Sequence, residues 1–186
     1  MSNFIINPYI IATAGGYETT TYKLNDDNND DSNLKIYANA RLVNASRVVS
    51  GGALDGFKMT EMKCLCQKIT TGGTPTNSTI YGRIWNTDDN SMDVLETSST
   101  LSYDTDGVSD SEPYTELTFA FTGDVTLSAN YKIGIYCSIS GGTSSKAIVL
   151  RANNTTADNS DVIMTEFNPD EKWNDDTPKN LWQAFS

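Results

Sequence analysis

The strongest constraint on the fold is a repeated alternation of apolar and polar residues over short runs of sequence. In the clearest run, residues 131–139, Ile133, Ile135 and Cys137 lie on one face of a strand, since successive strand side chains point to opposite faces. The same period occurs in residues 57–69, 79–86 and 115–121, and further candidate strands are residues 33–38, 41–49, 93–103, 146–152, 161–167 and 180–185. The pattern predicts roughly eight to ten strands.

The segments between these runs are rich in residues that form tight turns. Examples are residues 71–75 (TGGTP), 104–107 (DTDG), Gly123-Asp124 and Gly141-Gly142. No helix of the length that a parallel crossover needs separates the strands, so consecutive strands are expected to be antiparallel. The sequence therefore predicts an all-β fold, an antiparallel two-sheet sandwich, over residues 33–186.

Residues 1–32 differ from the rest of the chain and are predicted to form an N-terminal arm and an acidic linker. The linker, residues 25–31 (NDDNNDD), is too polar and too self-repelling to pack. Either the arm docks on a neighbouring subunit, or it folds back as a first strand followed by a long loop; both alternatives stay open here. The bulky apolar residues of the arm are Phe4, Ile5, Ile6, Tyr9, Ile10 and Ile11.

The charge balance excludes several classes of partner. The 186 residues carry 13 basic and 24 acidic side chains, a net charge of -11. A surface of this sign repels nucleic-acid phosphates and anionic membranes, so neither is expected as a partner. No run of about 18 apolar residues is present, so membrane insertion is not expected. Residues 1–16 lack a basic n-region and Pro8 interrupts their apolar run, so no signal peptide is predicted.

Catalytic signatures are missing from the sequence. The chain has no histidine, the commonest general base, and no nucleophile elbow, P-loop or dinucleotide-binding motif. The prediction is therefore a protein without enzymatic activity or cofactor, and a two-carboxylate glycosidase is the one enzyme class left open. Cys64, Cys66 and Cys137 are expected to be small buried hydrophobes, with a disulfide from either of the first two to Cys137 also open.

Calcium is the one candidate metal. Asp104, Asp106 and Asp110 surround Gly107, so that their carboxylates could converge on a hard cation. The full EF-hand spacing is absent, and the alternative is a solvated loop between two strands.

A candidate carbohydrate site lies at the end of one predicted strand. Trp85 offers an aromatic surface for a sugar ring, and Asn86, Asp88 and Asp89 offer amide and carboxylate partners beside it. The alternative is that Trp85 belongs to the core or to a strand face.

Several segments resemble a β-sandwich module of virion and surface proteins from bacterial and archaeal viruses. The resemblance begins with the glycine-led strand 56–69, the turn 73–76 (GTPT) and the strand 80–86 (IYGRIWN). Residues 116–121, 125–128 and 131–136 look like its following element, and Trp173 with residues 181–185 looks like its closing turn and last strand. The resemblance covers about residues 45–186.

The resemblance implies a jelly-roll-like sandwich in a virus structural protein that decorates a capsid or tail and takes part in host attachment. Expected partners are other virion proteins, further copies of the same chain and host surface glycans. The expected location is the virion, after synthesis in the host cytoplasm. The alternative function is a free-standing carbohydrate-binding module.

Overall fold

The computed structural model describes residues 22–24, 34–37, 42–76, 78–86, 94–97, 103–111, 113–153, 162–168, 172–176, 180–181 and 183–186. Within these ranges the chain forms fifteen strands and a single short 3-10 turn, Thr105–Gly107. The strands are β1 (Tyr22–Leu24), β2 (Lys35–Ile36), β3 (Val43–Val48), β4 (Lys58–Ile69), β5 (Thr79–Trp85), β6 (Val94–Thr97), β7 (Tyr103–Asp104), β8 (Thr115–Thr126), β9 (Lys132–Cys137), β10 (Ala147–Leu150), β11 (Ala152–Asn153), β12 (Val162–Asn168), β13 (Lys172–Asp176), β14 (Asn180–Leu181) and β15 (Gln183–Phe185).

The first sheet has six described strands and is built around the long strand β4. On one side β4 pairs antiparallel with β8. On its other side it pairs with β15 through Met62–Cys64 and with β10 through Cys66–Ile69. Strands β1 and β2 complete this side by pairing with β15 and β10.

The second sheet has seven described strands in the order β13-β12-β3-β9-β5-β6, with β7 also paired to β5. All of its pairings are antiparallel. A separate two-stranded ladder joins β11 and β14.

The main core lies between the inward faces of the two sheets. The hydroxyl of Ser46 in the second sheet donates to Oε1 of Gln183 in the first at 2.6 Å, and Gln183 Nε2 donates to the carbonyl of Ile133 at 3.2 Å. The buried core comprises Leu34, Ile36, Val48, Leu54, Met59, Met62, Cys64, Cys66, Ile80, Ile84, Val108, Leu117, Phe119, Phe121, Leu127, Ile133, Ile135, Cys137, Ile139, Ile148, Leu150 and Phe185. The all-β class and the antiparallel two-sheet sandwich are thus confirmed, whereas the strand order does not establish jelly-roll connectivity.

Two glycines allow close approach within the second sheet and between the sheets. A Cβ on Gly134 would lie 2.2 Å from the carbonyl oxygen of Asn44, so β3 and β9 could not keep their spacing with a larger residue. A Cβ on Gly82 would lie 2.6 Å from Cγ of Phe119 in the opposite sheet. Both positions therefore require glycine, the residue without a Cβ atom.

One predicted turn is wrong. Gly123 and Asp124 lie inside β8, which continues to Thr126. The pairing of β8 with β4 shifts register there, from Glu61 opposite Ala120 to Met59 opposite Val125. Gly123 and Asp124 form a bulge-like irregularity in β8 and do not end the strand, because β4 continues to pair with β8 on both sides of them.

The N-terminal segment contributes at least one strand to the sandwich. Tyr22 pairs with Phe185 and Leu24 with Gln183, so β1 extends the first sheet. The predicted assembly residues Phe4, Ile5, Ile6, Tyr9, Ile10 and Ile11 lie outside the described residues, and their role stays a prediction. Within the described ranges, no helix has the length and apolar character needed to cross a bilayer.

Candidate functional site

The outer face of the second sheet carries bulky side chains where a sandwich ordinarily carries small polar ones. In β5, Ile80 and Ile84 point into the core, so the intervening residues Tyr81, Arg83 and Trp85 point outward. The pairing of β5 with β9 puts Tyr136 opposite Tyr81 and Lys132 opposite Trp85. We call this surface the aromatic face and define it by Tyr81, Arg83, Trp85, Lys132, Tyr136, Phe167 and Trp173.

A second apolar cluster forms the centre of the aromatic face. Trp85 and Phe167 are buried in it together with the small strand residues Val43 and Ala45. The Trp173 ring packs edge-on against both aromatic rings, with centroid distances of 5.3 Å to Trp85 and 5.2 Å to Phe167. This sheet therefore buries apolar side chains on both of its faces.

The two tryptophans meet although their strands are far apart in the sheet. Strands β12, β3 and β9 lie between β13 and β5, so the two backbones are about 19 Å apart at the usual strand spacing. Ala45 and Gly134 occupy neighbouring outward positions of the intervening strands β3 and β9. Because these residues are small, long side chains can extend over them, which explains how Trp85 is fully buried on an outer face.

Arg83 lies over two tyrosine rings and has no anionic partner among the described residues. Its Cζ is 4.0 Å from the ring centroid of Tyr136 and 5.0 Å from that of Tyr81. Its Nε is buried and forms no hydrogen bond. Burial lowers the pKa of Arg83, and the adjacent Tyr136 and Tyr81 oppose part of that effect. The guanidinium nevertheless stays charged at neutral pH, because arginine is not deprotonated in proteins.

Two further features make the aromatic face a polar as well as an apolar surface. The indole nitrogen of Trp85 is a buried donor without an acceptor among the described residues, a situation that costs about 1–3 kcal/mol. Lys132 is 3% exposed, and its Nζ lies 5.1 Å from the ring centroid of Trp173. Arg47 also points outward, from the position opposite Lys132.

The charged side chains that the structure describes on the outer face of this sheet are basic: Arg83 and Lys132 in the aromatic face, and Arg47 beside them. Asp175 also occupies an outward position, on β13, but its side chain is outside the described ones. The whole chain carries a net charge of -11. Three cations beside five aromatic rings can hold an anionic group and an apolar surface at the same time.

The predicted carbohydrate residues are only partly described. Trp85 is fully buried, so its ring is not open to a sugar, while Asn86 is exposed at the end of β5. Asp88 and Asp89 lie outside the described residues. The accessible rings of this surface are those of Tyr81, Tyr136 and Trp173, which are partly buried.

The predicted calcium residues lie along one short segment, at the end of β7, in the 3-10 turn and just after it. Asp104 ends β7, Asp106 lies in the 3-10 turn, and Asp110 follows as an exposed residue. The part of the chain that the structure describes holds no group of three or more His, Cys, Asp or Glu residues placed to bind a metal. The side chains of Asp104 and Asp106 are not described, so calcium binding stays a prediction.

The three cysteines are free thiols in the core. The sulfurs of Cys64 and Cys66 are 3.6 Å apart, a contact distance and not a bond. Burial, and next the neighbouring Cys64, raise the pKa of Cys66, which makes this thiol a poor nucleophile. The prediction that these residues are buried hydrophobes is confirmed.

The importance of Arg83, Lys132 and Tyr136 was not predicted from the sequence. A usable signal was present, since Tyr81, Arg83 and Trp85 are three large residues in succession on the face of β5 that should be solvated. The second half of the site is on β9 and β13, and no local pattern says that these strands contribute to the same surface as β5.

The sequence matches no known protein-family model, and comparisons with curated proteins and with solved structures found no match.

Proposed function

We propose that this protein is a non-catalytic structural protein of a virus particle that decorates the capsid or tail and takes part in attachment to the host. The aromatic face is the observation that carries the proposal. Folding requires a sandwich to bury only the inward faces of its sheets, so the three partly exposed aromatic rings on this outer face support a surface that contacts another molecule.

The composition of the aromatic face is typical of contact surfaces. Tryptophan, tyrosine and arginine are the residues that most often dominate binding energy at protein interfaces. The aromatic face contains Trp173, Tyr81, Tyr136 and Arg83 in one contiguous surface. The resemblance of residues 45–186 to viral sandwich modules supports a particle as the place where such a surface is used, and this support is an analogy of sequence pattern.

The proposal is tested by the native mass of the protein, measured by light scattering. We expect the full-length chain to be oligomeric, and we expect Trp173→Ser, on the β13 side of the aromatic face, to lower the mass. Lys63→Ser is the matched control, because Lys63 lies on the outer face of the first sheet. A full-length chain that is monomeric at every concentration would contradict self-assembly.

The predicted arm is tested separately. Deletion of residues 2–20 removes the apolar arm and leaves β1 in place. If the arm docks on a neighbouring subunit, this deletion lowers the native mass without lowering the free energy of unfolding of the sandwich. If the arm folds back on its own domain, stability falls and the native mass does not change.

A free-standing carbohydrate-binding module is the second candidate function. The observation that favours it is the combination of accessible tyrosine rings with the guanidinium of Arg83, which has no anionic partner in the part of the chain that the structure describes. It predicts a monomer that is retained by glycans, and loss of retention in Tyr81→Ala with the fold unchanged.

A further inference from the structure

Arg83 is a partly buried charged group that lacks a counter-ion among the described residues. Removing a guanidinium from water is costly unless an anion or hydrogen-bond acceptors replace the water. Arg83 is partly buried, yet it forms no hydrogen bond and no ion pair with the described residues, and its Nε is buried without an acceptor. Its terminal nitrogens are not among the buried atoms, so they can be reached from solvent. An incoming anion would supply the missing partner.

The two tyrosines hold the guanidinium in position before any ligand binds. Cation–π contacts at 4.0 Å and 5.0 Å fix the Cζ atom over Tyr136 and Tyr81. The rings themselves are 6.3 Å apart with an interplanar angle of 39°. A preordered group loses little conformational entropy on binding, so the full strength of a charged hydrogen bond is available to a ligand.

The surroundings of Arg83 favour a saccharide over a peptide as the carrier of the anion. Tyr81 and Tyr136 are on β5 and β9, which have paired strands on both sides. A peptide laid on this face would find no free strand edge for its backbone, whereas a sugar ring can place its C–H surface on a phenol ring and its hydroxyls beside the tyrosine O–H groups. A planar carboxylate accepts two N–H groups of one guanidinium.

We propose that Tyr81, Arg83 and Tyr136 form a subsite for the carboxylate-bearing ring of an acidic saccharide. The subsite deepens the attachment part of the proposed function, on which it rests. Arg47 and Lys132 on the same face add positive charge around the subsite of an otherwise acidic protein.

The test is titration of the full-length protein with a tetrasaccharide that contains glucuronic acid, followed by NMR chemical shifts and calorimetry. The matched ligand is the same tetrasaccharide with its carboxyl groups reduced to alcohols. We expect Arg83→Gln to weaken binding about 10- to 100-fold, as loss of a hydrogen bond between charged groups does. Binding of the reduced tetrasaccharide should be weakened by a similar factor.

Arg151→Gln is the matched protein control. Arg151 also lies over a tyrosine, at 5.6 Å from the Tyr114 ring centroid, and its substitution changes the charge of the chain equally. Its affinity for the tetrasaccharide should equal that of the wild type. Thermal unfolding of each variant shows that the fold is retained, and Arg83→Lys separates the bidentate guanidinium from charge alone, since lysine should restore only part of the affinity.

Four results would overturn the subsite: no binding up to about 10 mM tetrasaccharide, equal binding of the reduced tetrasaccharide, unchanged affinity of Arg83→Gln, or tighter binding of an oligoglutamate peptide at Arg83. If the saccharide fails to bind and Trp173→Ser still lowers the native mass, the subsite is wrong and the assembly proposal stands. If Arg83→Gln weakens saccharide binding in a chain that is always monomeric, the subsite stands and self-assembly is wrong.

Discussion

The two sheets of this sandwich obey the same alternation, yet their outer faces are different. Between β4 and β8, the first sheet presents Lys63 and Glu116, which form an ion pair at 3.3 Å with side chains 39% and 49% exposed. The second sheet presents the aromatic face. This part of the first surface is mostly polar, as expected of a solvated sheet face, although Leu65 lies on the same face and the outward Val149 of β10 is buried. The aromatic face exposes several large aromatic rings instead. The difference teaches that the outer face of the second sheet has a packed cluster of its own, and that the partly exposed rings around it are more apolar than a solvated face requires.

The largest effect is expected from the centre of the aromatic face. Trp85→Ala should lower the free energy of unfolding by about 3–5 kcal/mol, the usual cost of removing a buried tryptophan from a packed cluster. Urea denaturation followed by circular dichroism measures it. A loss below about 1 kcal/mol would mean that this cluster is a loose surface and that the contrast between the two outer faces is smaller than the packing indicates.

The floor of the aromatic face should be nearly as sensitive. Gly134→Ala puts a methyl group against the carbonyl oxygen of Asn44, which is backbone and cannot rotate away, so β3 and β9 must separate. We expect a loss toward the upper end of about 1–3 kcal/mol. Gly107→Ala is the control, because a Cβ there meets nothing within 4 Å. Equal unfolding midpoints for the two variants would refute the tight β3–β9 approach.

The inward face of β3 offers a pair of substitutions with opposite signs. Asn44 is buried and neither of its side-chain polar atoms has a partner within the described ranges, so Asn44→Leu should raise stability by about 1 kcal/mol. Ser46→Ala removes the 2.6 Å hydrogen bond to Gln183 and should cost about 1–3 kcal/mol. Unfolding midpoints in urea compare them, and a destabilising Asn44→Leu would show that Asn44 has a partner in solution.

The smallest effect is expected on the polar outer face. The Lys63–Glu116 pair is exposed and screened by water, so a double-mutant cycle should give a coupling free energy of about 0.2–1 kcal/mol that falls with added salt. The single variants Lys63→Gln and Glu116→Gln and their combination supply the cycle. A coupling that exceeds the cost of Trp85→Ala would reverse the comparison between the faces.

Alternation along single strands was enough to predict the fold class and the inward residues of several strands. Ile133, Ile135 and Cys137 are in the core as predicted, because a strand's two faces are determined by neighbours in sequence. The turn predicted from the residue types at Gly123-Asp124 is wrong, because β8 pairs with β4 on both sides of these residues and continues through them. Of the strand predicted over residues 93–103, the described parts are strand as predicted, β6 and the start of β7, both beside β5.

The candidate site could not be predicted in the same way. The sequence alone determined that Tyr81, Arg83 and Trp85 share one face of a strand, that no histidine is available and that the chain is acidic. Only the tertiary structure decided that Tyr136 lies under the guanidinium of Arg83 and that Trp173 packs on Trp85. The physical reason is the range of each interaction: alternation acts over two residues, whereas strand order and register bring together residues that are far apart in the chain, and these depend on the packing of the whole sandwich.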